Sequence, residues 1–440
     1  MLDKIFKLKA NNTTISKEVL GGVITFFSIC YILFVNPEIL KNDEVSQNAL
    51  YTGTVLCAIV STLIITIISN KPLAMAPAMG LNSVLAITVC QNLGFSYSES
   101  LALTLLSAIL FLVLTLTKLR VKILDILPPY LVKAIGIGIG LFICMVGLVN
   151  STLIVSSSST LVTLGDFNNP TTLTALISLV IIIILTVLKV KGSIIITLVS
   201  TLVISLLLKL AFGETINYTG IVSLPEAPYV SGFIKGFTTF TSSDVINIII
   251  AVFALTFLAL FSSLGTIILT KDTLGLDNPK ELNKVMLSDS LGFFTSSFLG
   301  TSPSCILAET YTGVKEGART GLANVVTLIL LILSLFLSPL LSLIGTEVTS
   351  SILIMIGVSM LADLKFIDFG NIKEAIPAFF AILFMPLTYS IINGIGFSII
   401  SLTIINFITY DKKKKFKENI HPLLIILSVI FILYYVLLLI

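Results

Sequence analysis

Runs of about 20 apolar residues, separated by short polar connections, recur from one end of the chain to the other. Each run is long enough to cross a bilayer core as a helix. The pattern predicts spans over residues 20–38, 49–69, 99–117, 134–150, 172–188 and 193–211, then 245–270, 285–299, 321–344 and 349–362. Residues 375–409 are too long for one span, and Gly394 and Gly396 predict a hinge between two short ones. Two further segments are broken: 73–91, interrupted by Pro77 and Gly80, and 300–314, which carries Gly300-Thr301-Ser302-Pro303-Ser304-Cys305-Ile306-Leu307-Ala308-Glu309-Thr310. The expectation is an all-α polytopic membrane protein of about 14 transmembrane helices, with 421–440 as an additional apolar tail.

Basic residues orient these spans. If the N-terminal residues 1–19 are cytoplasmic, the connections near Lys71, Arg120, Lys189 and Lys191, Lys271–Lys284, Arg319, Lys365 and Lys373, and Lys412–Lys417 all fall inside. The Ser-rich connection 151–170, free of Lys and Arg, then falls outside. This is the distribution that the positive-inside rule requires. With seven spans in each half, 20–211 and 244–410 run in opposite senses, as two inverted repeats joined by an extracellular connection at 212–243. The run Lys412–Lys417 anchors the topology, and 411–440 ends the chain as a basic segment and an apolar helix, with its own crossing left open. Each broken segment is the third span of its half. Paired interruptions of this kind point to a transporter binding site, because a helix that stops at the midplane offers unpaired N–H groups and a positive dipole end to a polar ligand.

Composition narrows the class. The chain of 440 residues is 56% hydrophobic and 11% charged, against roughly 25% charged in soluble domains. A net charge of +3 gives no reason to expect a nucleic acid partner. The five cysteines all lie in apolar segments without a spacing partner, and the one histidine is His421, so neither a disulfide nor a metal site nor another cofactor is expected. Lys4, Lys7 and Lys9 precede a first span that is long and lacks a small-residue cleavage site, so no cleavable signal peptide is expected. No extramembrane stretch is long enough for a soluble catalytic domain, so the chain is not expected to be an enzyme.

Glu309 is the strongest single residue, since an intramembrane carboxylate is costly and marks a functional site by default. It can accept hydrogen bonds from ring N–H groups; the plainer alternative is a helix-end carboxylate that reaches water near Lys315. Asn82, two residues beyond Gly80, can read an amide edge or lock its half-helix to a neighbour. Thr256, Ala259, Ser263, Thr266 and Thr270, with Ser262 beside them, give the eighth span a small, hydroxyl-rich face that serves a ligand or close packing equally well. Asp289 is a second intramembrane acid and a candidate coupling site, although its polar neighbours fit a structural role better. Thr25, Ser28, Tyr31 and Asn36 form a stripe on the first span whose role reads as packing, with Thr25 and Phe26 as candidate lining.

Tyr31-Ile32-Leu33-Phe34-Val35-Asn36-Pro37, Ala76-Pro77-Ala78-Met79-Gly80-Leu81-Asn82, Leu299-Gly300-Thr301-Ser302 through Glu309, Glu316-Gly317-Ala318-Arg319-Thr320-Gly321-Leu322 and Met385-Pro386-Leu387-Thr388-Tyr389-Ser390-Ile391 are specific as a set. Over nearly its whole length the chain resembles the azaguanine-type (AzgA) purine permeases of the nucleobase–cation symporter superfamily. The resemblance implies a uracil-permease-like fold, with a core domain of spans one to four and eight to eleven and a gate domain of the others. It also implies a purine held between the third and tenth spans by Glu309, Asn82 and the backbone around Gly80 and Ser302. One departure stands out. Where the family has Phe-Asp-Thr-x-Gly-Thr in span eight, this chain has Phe261-Ser262-Ser263-Leu264-Gly265-Thr266, so Ser262 and Ser263 occupy the place of the family acid.

The expected function is import of purine bases (hypoxanthine, guanine or adenine) by alternating access, with a proton or sodium as the coupling ion. The expected location is the plasma membrane, with many passes, a cytoplasmic N-terminus and a homodimer as an open assembly. The alternatives are an anion carrier or channel of sulfate-permease architecture and a homologue with altered coupling.

Overall fold

The computed structural model describes residues 2–190, 193–213, 220, 222–241, 245–342, 346–409 and 421–437. The predicted anchor Lys412–Lys417, together with Lys191 and Asp244, lies outside the described residues. In chain order the elements used below are α1 (Ile15–Ile39), α2 (Gln47–Ser69), β1 (Met75–Pro77), α3 (Met79–Ser83) and α4 (Tyr97–Leu116). They continue with α5 (Pro129–Asn150), β2 (Ile154–Ser157), β3 (Leu161–Leu164), α6 (Pro170–Val187), α7 (Ser193–Ala211) and α8 (Gly232–Thr239). The second half holds α9 (Val245–Leu274), α10 (Pro279–Phe298), β4 (Ser304–Ile306), α11 (Tyr311–Lys315), α12 (Gly321–Ser334) and α13 (Thr346–Met360). It ends with α14 (Ile372–Leu387), α15 (Ile391–Ile408) and α16 (Pro422–Leu437). Six helices are long and apolar enough to cross a membrane among the described residues: α1, α2, α4, α5, α6 and the Val245–Ile267 part of α9.

Local chemistry sets the helix starts. Thr14 accepts from the Lys17 N–H at the head of α1, and Ser46 accepts from the Ala49 N–H at the head of α2. Ser96 and Glu99 close a reciprocal capping box on α4. Asn169-Pro170 and Asn278-Pro279 start α6 and α10, with the asparagine accepting a first-turn N–H and the proline supplying a preset φ.

The all-α expectation needs correcting at two places. The two broken segments do not merely stop. Met75, Ala76 and Pro77 pair antiparallel with Ile306, Cys305 and Ser304, so the interruptions form one buried two-stranded sheet. The physical reason is that backbone N–H and C=O groups away from water must find partners, and each broken segment supplies the other's. A second hairpin, β2 with β3, fills the connection between α5 and α6. The hinge predicted at Gly394 and Gly396 also moves. Both glycines lie inside α15, where a Cβ would collide with Met385 or Tyr435. The chain turns instead at Tyr389, at φ 51°, before Ser390 caps α15 by accepting from the Asn393 N–H. Those glycines serve close packing, not bending.

The chain divides into two units. The larger comprises 1–117 and 151–351; the smaller comprises 118–150 and 352–440. In the larger unit, α1 lies against α11 and α12 through small residues: a Cβ on Gly22 would stand 2.3 Å from the Ala323 carbonyl oxygen, and one on Gly21 2.6 Å from the Ala318 Cβ. Residues 223–231 extend toward α8, which packs on α4 where Gly236 abuts the Ser98 carbonyl. In the smaller unit, α5 packs on α14 with Gly138 against the Ala381 carbonyl, and α16 packs on α15.

Candidate functional site

The sheet is pinned from both sides by the helices that precede its strands. Thr62 of α2 donates to the Met75 carbonyl and accepts from the Met75 N–H, each at 2.9 Å. On the other side Asp289 of α10 accepts from the Ile306 N–H at 3.1 Å, and Ser304 donates to the Gly292 carbonyl at 2.7 Å. Asp289, named above as a coupling candidate, is fully buried and holds a strand with its carboxylate. Each strand then passes through one extended residue, Ala78 or Leu307, into a helical turn. Gly80 and Glu309 are the second residues of those turns and therefore occupy matching places.

Glu309 is 6% exposed. Its Oε1 accepts from the Tyr31 hydroxyl at 2.5 Å, while Oε2 takes no side-chain donor among the described residues. Its carbonyl accepts from Thr312 Oγ1 at 2.7 Å, and Thr312 in turn meets Ser28 Oγ at 2.8 Å. So the stripe on α1 read as packing reaches the site directly, through Ser28 and Tyr31. A short hydrogen bond to a carboxylate is among the stronger kinds, and α1 is held in register for it by Gly21, Gly22 and Thr25.

Asn36, one and a half turns further along α1, is the centre of a second buried cluster. Its Nδ2 donates to Thr54 Oγ1 at 2.8 Å and Thr301 Oγ1 at 2.9 Å. Its Oδ1 accepts from Ser302 Oγ at 2.7 Å and from Asn82 Nδ2 at 3.1 Å. Asn82 Oδ1 accepts from Ser83 Oγ at 3.3 Å. The predicted residues Asn82 and Ser302 are thus brought together, but with Asn36 rather than with Glu309. Their polar atoms serve one another and tie α1, α2, α3 and the approach to β4 into a single frame.

The other predicted residues separate. Ser262 Oγ lies 3.5 Å from Cys305 Sγ on β4. Ser263 Oγ donates to the Ala259 and Leu260 carbonyls of its own helix. Thr266 Oγ1 follows one turn later with a bond to the Ile306 carbonyl at 3.3 Å. Thr25 is buried against Gly313. Phe26 is half-buried and edge-on to Phe27, with ring centroids 5.2 Å apart.

Three buried polar groups escaped the sequence reading. Glu18 accepts from the N–H groups of Arg319, Thr320 and Ala323, and so neutralises the start of α12. Asn324 donates to Thr66 Oγ1 and to the Lys71 and Leu73 carbonyls, fixing the turn that leads into β1. In that turn Lys71 donates to the Leu274 carbonyl at 2.7 Å, and burial pushes its ammonium below the usual range. The third is the pair Lys209–Glu347, 2.7 Å apart between α7 and α13, with Ser205 also donating to Glu347 at 2.8 Å. Glu18 abuts a basic segment and looks solvated; the available signal was the Thr320-Gly321 helix start, which needs an acceptor from elsewhere.

A sequence profile described as Permease family matches residues 16–397. The chain is 34% identical to the guanine/hypoxanthine permease PbuO of Bacillus subtilis (strain 168), over 97% of this chain and 98% of that protein. It is 32% identical to the adenine permease AdeP of Escherichia coli (strain K12), over 98% of this chain and 95% of that protein. Its fold is similar to the transmembrane domain of a cyanobacterium bicarbonate transporter, BicA, with a TM-score of 0.59, 16% identity, and coverage of 85% of this chain and 96% of that one.

Proposed function

Given that the chain belongs to the permease family matched by residues 16–397, we propose that it imports purine nucleobases, as a member of the azaguanine-type branch. The relatives named as guanine/hypoxanthine and adenine permeases, each aligned over nearly the full chain, support this substrate class. The observation that carries the reading is Glu309: a buried carboxylate at the second residue of a turn leaving the paired breaks, with one oxygen held by Tyr31 and the other without a side-chain donor among the described residues. A purine ring offers N–H donors to such an acceptor. In this reading Glu309 binds the base, the backbone at Gly80 and the Ser262 hydroxyl flank it, and Asn36, Asn82 and Ser302 hold the frame.

The finer architecture belongs to the same proposal. About fourteen spans form two inverted seven-span repeats, 20–211 and 244–410, with core and gate groups that alternate the access of the site between the two membrane faces. The protein sits in the plasma membrane with its N-terminus inside. A proton is the coupling ion, and two copies form the assembly. The likeness to the bicarbonate transporter is one of fold; a fixed carboxylate at Glu309 opposes an anion as the cargo.

The test is uptake of radiolabelled guanine, hypoxanthine and adenine in a host lacking purine uptake, with and without a protonophore. Wild-type protein should restore uptake. Glu309→Gln, correctly inserted at normal levels, should lower it at least a hundredfold. Undiminished uptake by that variant removes Glu309 from the site.

A further inference from the structure

The hydrogen bond between Tyr31 and Glu309 has chemical content beyond holding a side chain. Tyr31 is 1% exposed, and its hydroxyl proton goes to Oε1 of Glu309 at 2.5 Å. The tyrosine cannot swing away freely. Below it on α1, Ser28 bonds Thr312, Thr25 fills the space over Gly313, and Gly21 and Gly22 lie in backbone-level contact with α11, the turn that follows it and α12. Oε1 is therefore engaged in the resting protein, and Oε2 is the oxygen without a side-chain donor among the described residues.

A carboxylate with both oxygens open makes a fork that suits two parallel N–H donors. Guanine carries such a pair on one edge, N1–H beside the 2-amino group. Hypoxanthine carries N1–H there and a C–H in place of the amino group. The Tyr31 hydroxyl takes one lone pair of Oε1 and crowds the approach to the other, so Oε2 is the better acceptor and each base meets it with one N–H. We infer that Tyr31 is a specificity-determining residue: by occupying Oε1 of Glu309 it makes the site read one purine N–H, so that guanine gains nothing over hypoxanthine from its 2-amino group. The inference rests on the purine reading above. It names Tyr31, a residue that touches the binding group and need not touch the base, as the reason one carrier handles both bases alike.

The experiment measures saturable uptake of radiolabelled guanine and hypoxanthine by the full chain in a purine-uptake-deficient host, with KM and Vmax for each and membrane levels from a fluorescent tag. In the wild type the two KM values should agree within about threefold. In Tyr31→Phe both carboxylate oxygens become available. The ratio of hypoxanthine KM to guanine KM should rise about tenfold, the worth of one charge-assisted hydrogen bond. An unchanged ratio in a variant present at normal levels overturns the inference, as does an equal fall of Vmax for both bases, which marks Tyr31 as a packing residue only. Should Tyr31→Phe fail to reach the membrane, the wild type alone still decides: a guanine preference of tenfold or more shows that the 2-amino group is already read. If the wild type transports none of guanine, hypoxanthine and adenine, the purine reading falls and this inference with it; if it takes up adenine alone, or if Glu309→Gln abolishes uptake while Tyr31→Phe leaves the ratio unchanged, only the inference falls.

Discussion

Asn36→Ala is the most direct test of the buried frame. The substitution removes four side-chain hydrogen bonds, to Thr54, Thr301, Ser302 and Asn82, all from a residue with no exposed surface. Bonds of this kind contribute about 1 kcal/mol each in water-soluble proteins and about 0.6 kcal/mol between membrane helices. The loss should therefore be about 2–4 kcal/mol. The upper end is softened because Thr54 and Thr301 lie 3.2 Å apart and can bond each other, and Thr54 also donates to the Leu50 carbonyl. Besides its bond to Asn36, Asn82 Nδ2 has a weak sulfur acceptor, Met79 Sδ at 3.6 Å, so Asn82→Ala should lose roughly half as much. The double variant should lose less than the sum, since the two share a bond. The assay is thermal unfolding of purified protein in detergent, read as the surviving monodisperse fraction by size exclusion. Thr52→Val provides the control. Its buried hydroxyl has no hydrogen-bond partner among the described residues, so its removal should leave the midpoint unchanged or raise it. An Asn36→Ala midpoint equal to that of Thr52→Val would refute the claim that this cluster holds the breaks together.

Two other expectations follow from packing and charge. Gly22→Ala places a methyl 2.3 Å from a backbone carbonyl on α12 that cannot move aside cheaply, so the amount of folded carrier extracted from membranes should fall severalfold, whereas equal yield and uptake would contradict the close approach. Lys209→Met leaves the Glu347 carboxylate buried with a hydroxyl as its remaining partner, a loss of about 3 kcal/mol or more by analogy with broken buried pairs; adding Glu347→Gln should restore much of the thermal midpoint, and a double variant as unstable as the single one would show that the pair is not the cause.

The parts of this protein that were legible in the sequence share one property: a local signal that contrasts with its surroundings. Glu309 stood out because a carboxylate interrupts apolar sequence, and the helix starts at Asn169-Pro170 and Asn278-Pro279 carry their chemistry in adjacent residues. Tyr31 did not stand out, because a tyrosine in an apolar helix has the same look whether its hydroxyl meets a carboxylate or a carbonyl. Asn82 was legible as polar but not as to its partner: the choice between a ligand and Asn36 is made by how α1 packs, which no local pattern states. The strands were invisible for a different reason. Three residues are too few to show alternation, and their pairing depends on two segments far apart in the chain. At Gly394 and Gly396 flexibility and close packing have the same residue signature, and the contacts with Met385 and Tyr435 select the second.

The two-stranded sheet also imposes a timetable on synthesis. Met75 pairs with Ile306, about 230 positions later. At a synthesis rate of about 5–20 residues per second, the first strand waits about 10–50 s for its mate. During that interval Thr62 can serve Met75, but the Ala78 N–H has to wait for the Pro303 carbonyl, its partner in the finished protein. The first half of the chain therefore enters the membrane as an unfinished object, and its earliest point of completion is the emergence of the segment that also brings Glu309. Binding group and missing strand emerge almost together, so a product truncated before Ser304 lacks both the second strand and the residue that the frame holds.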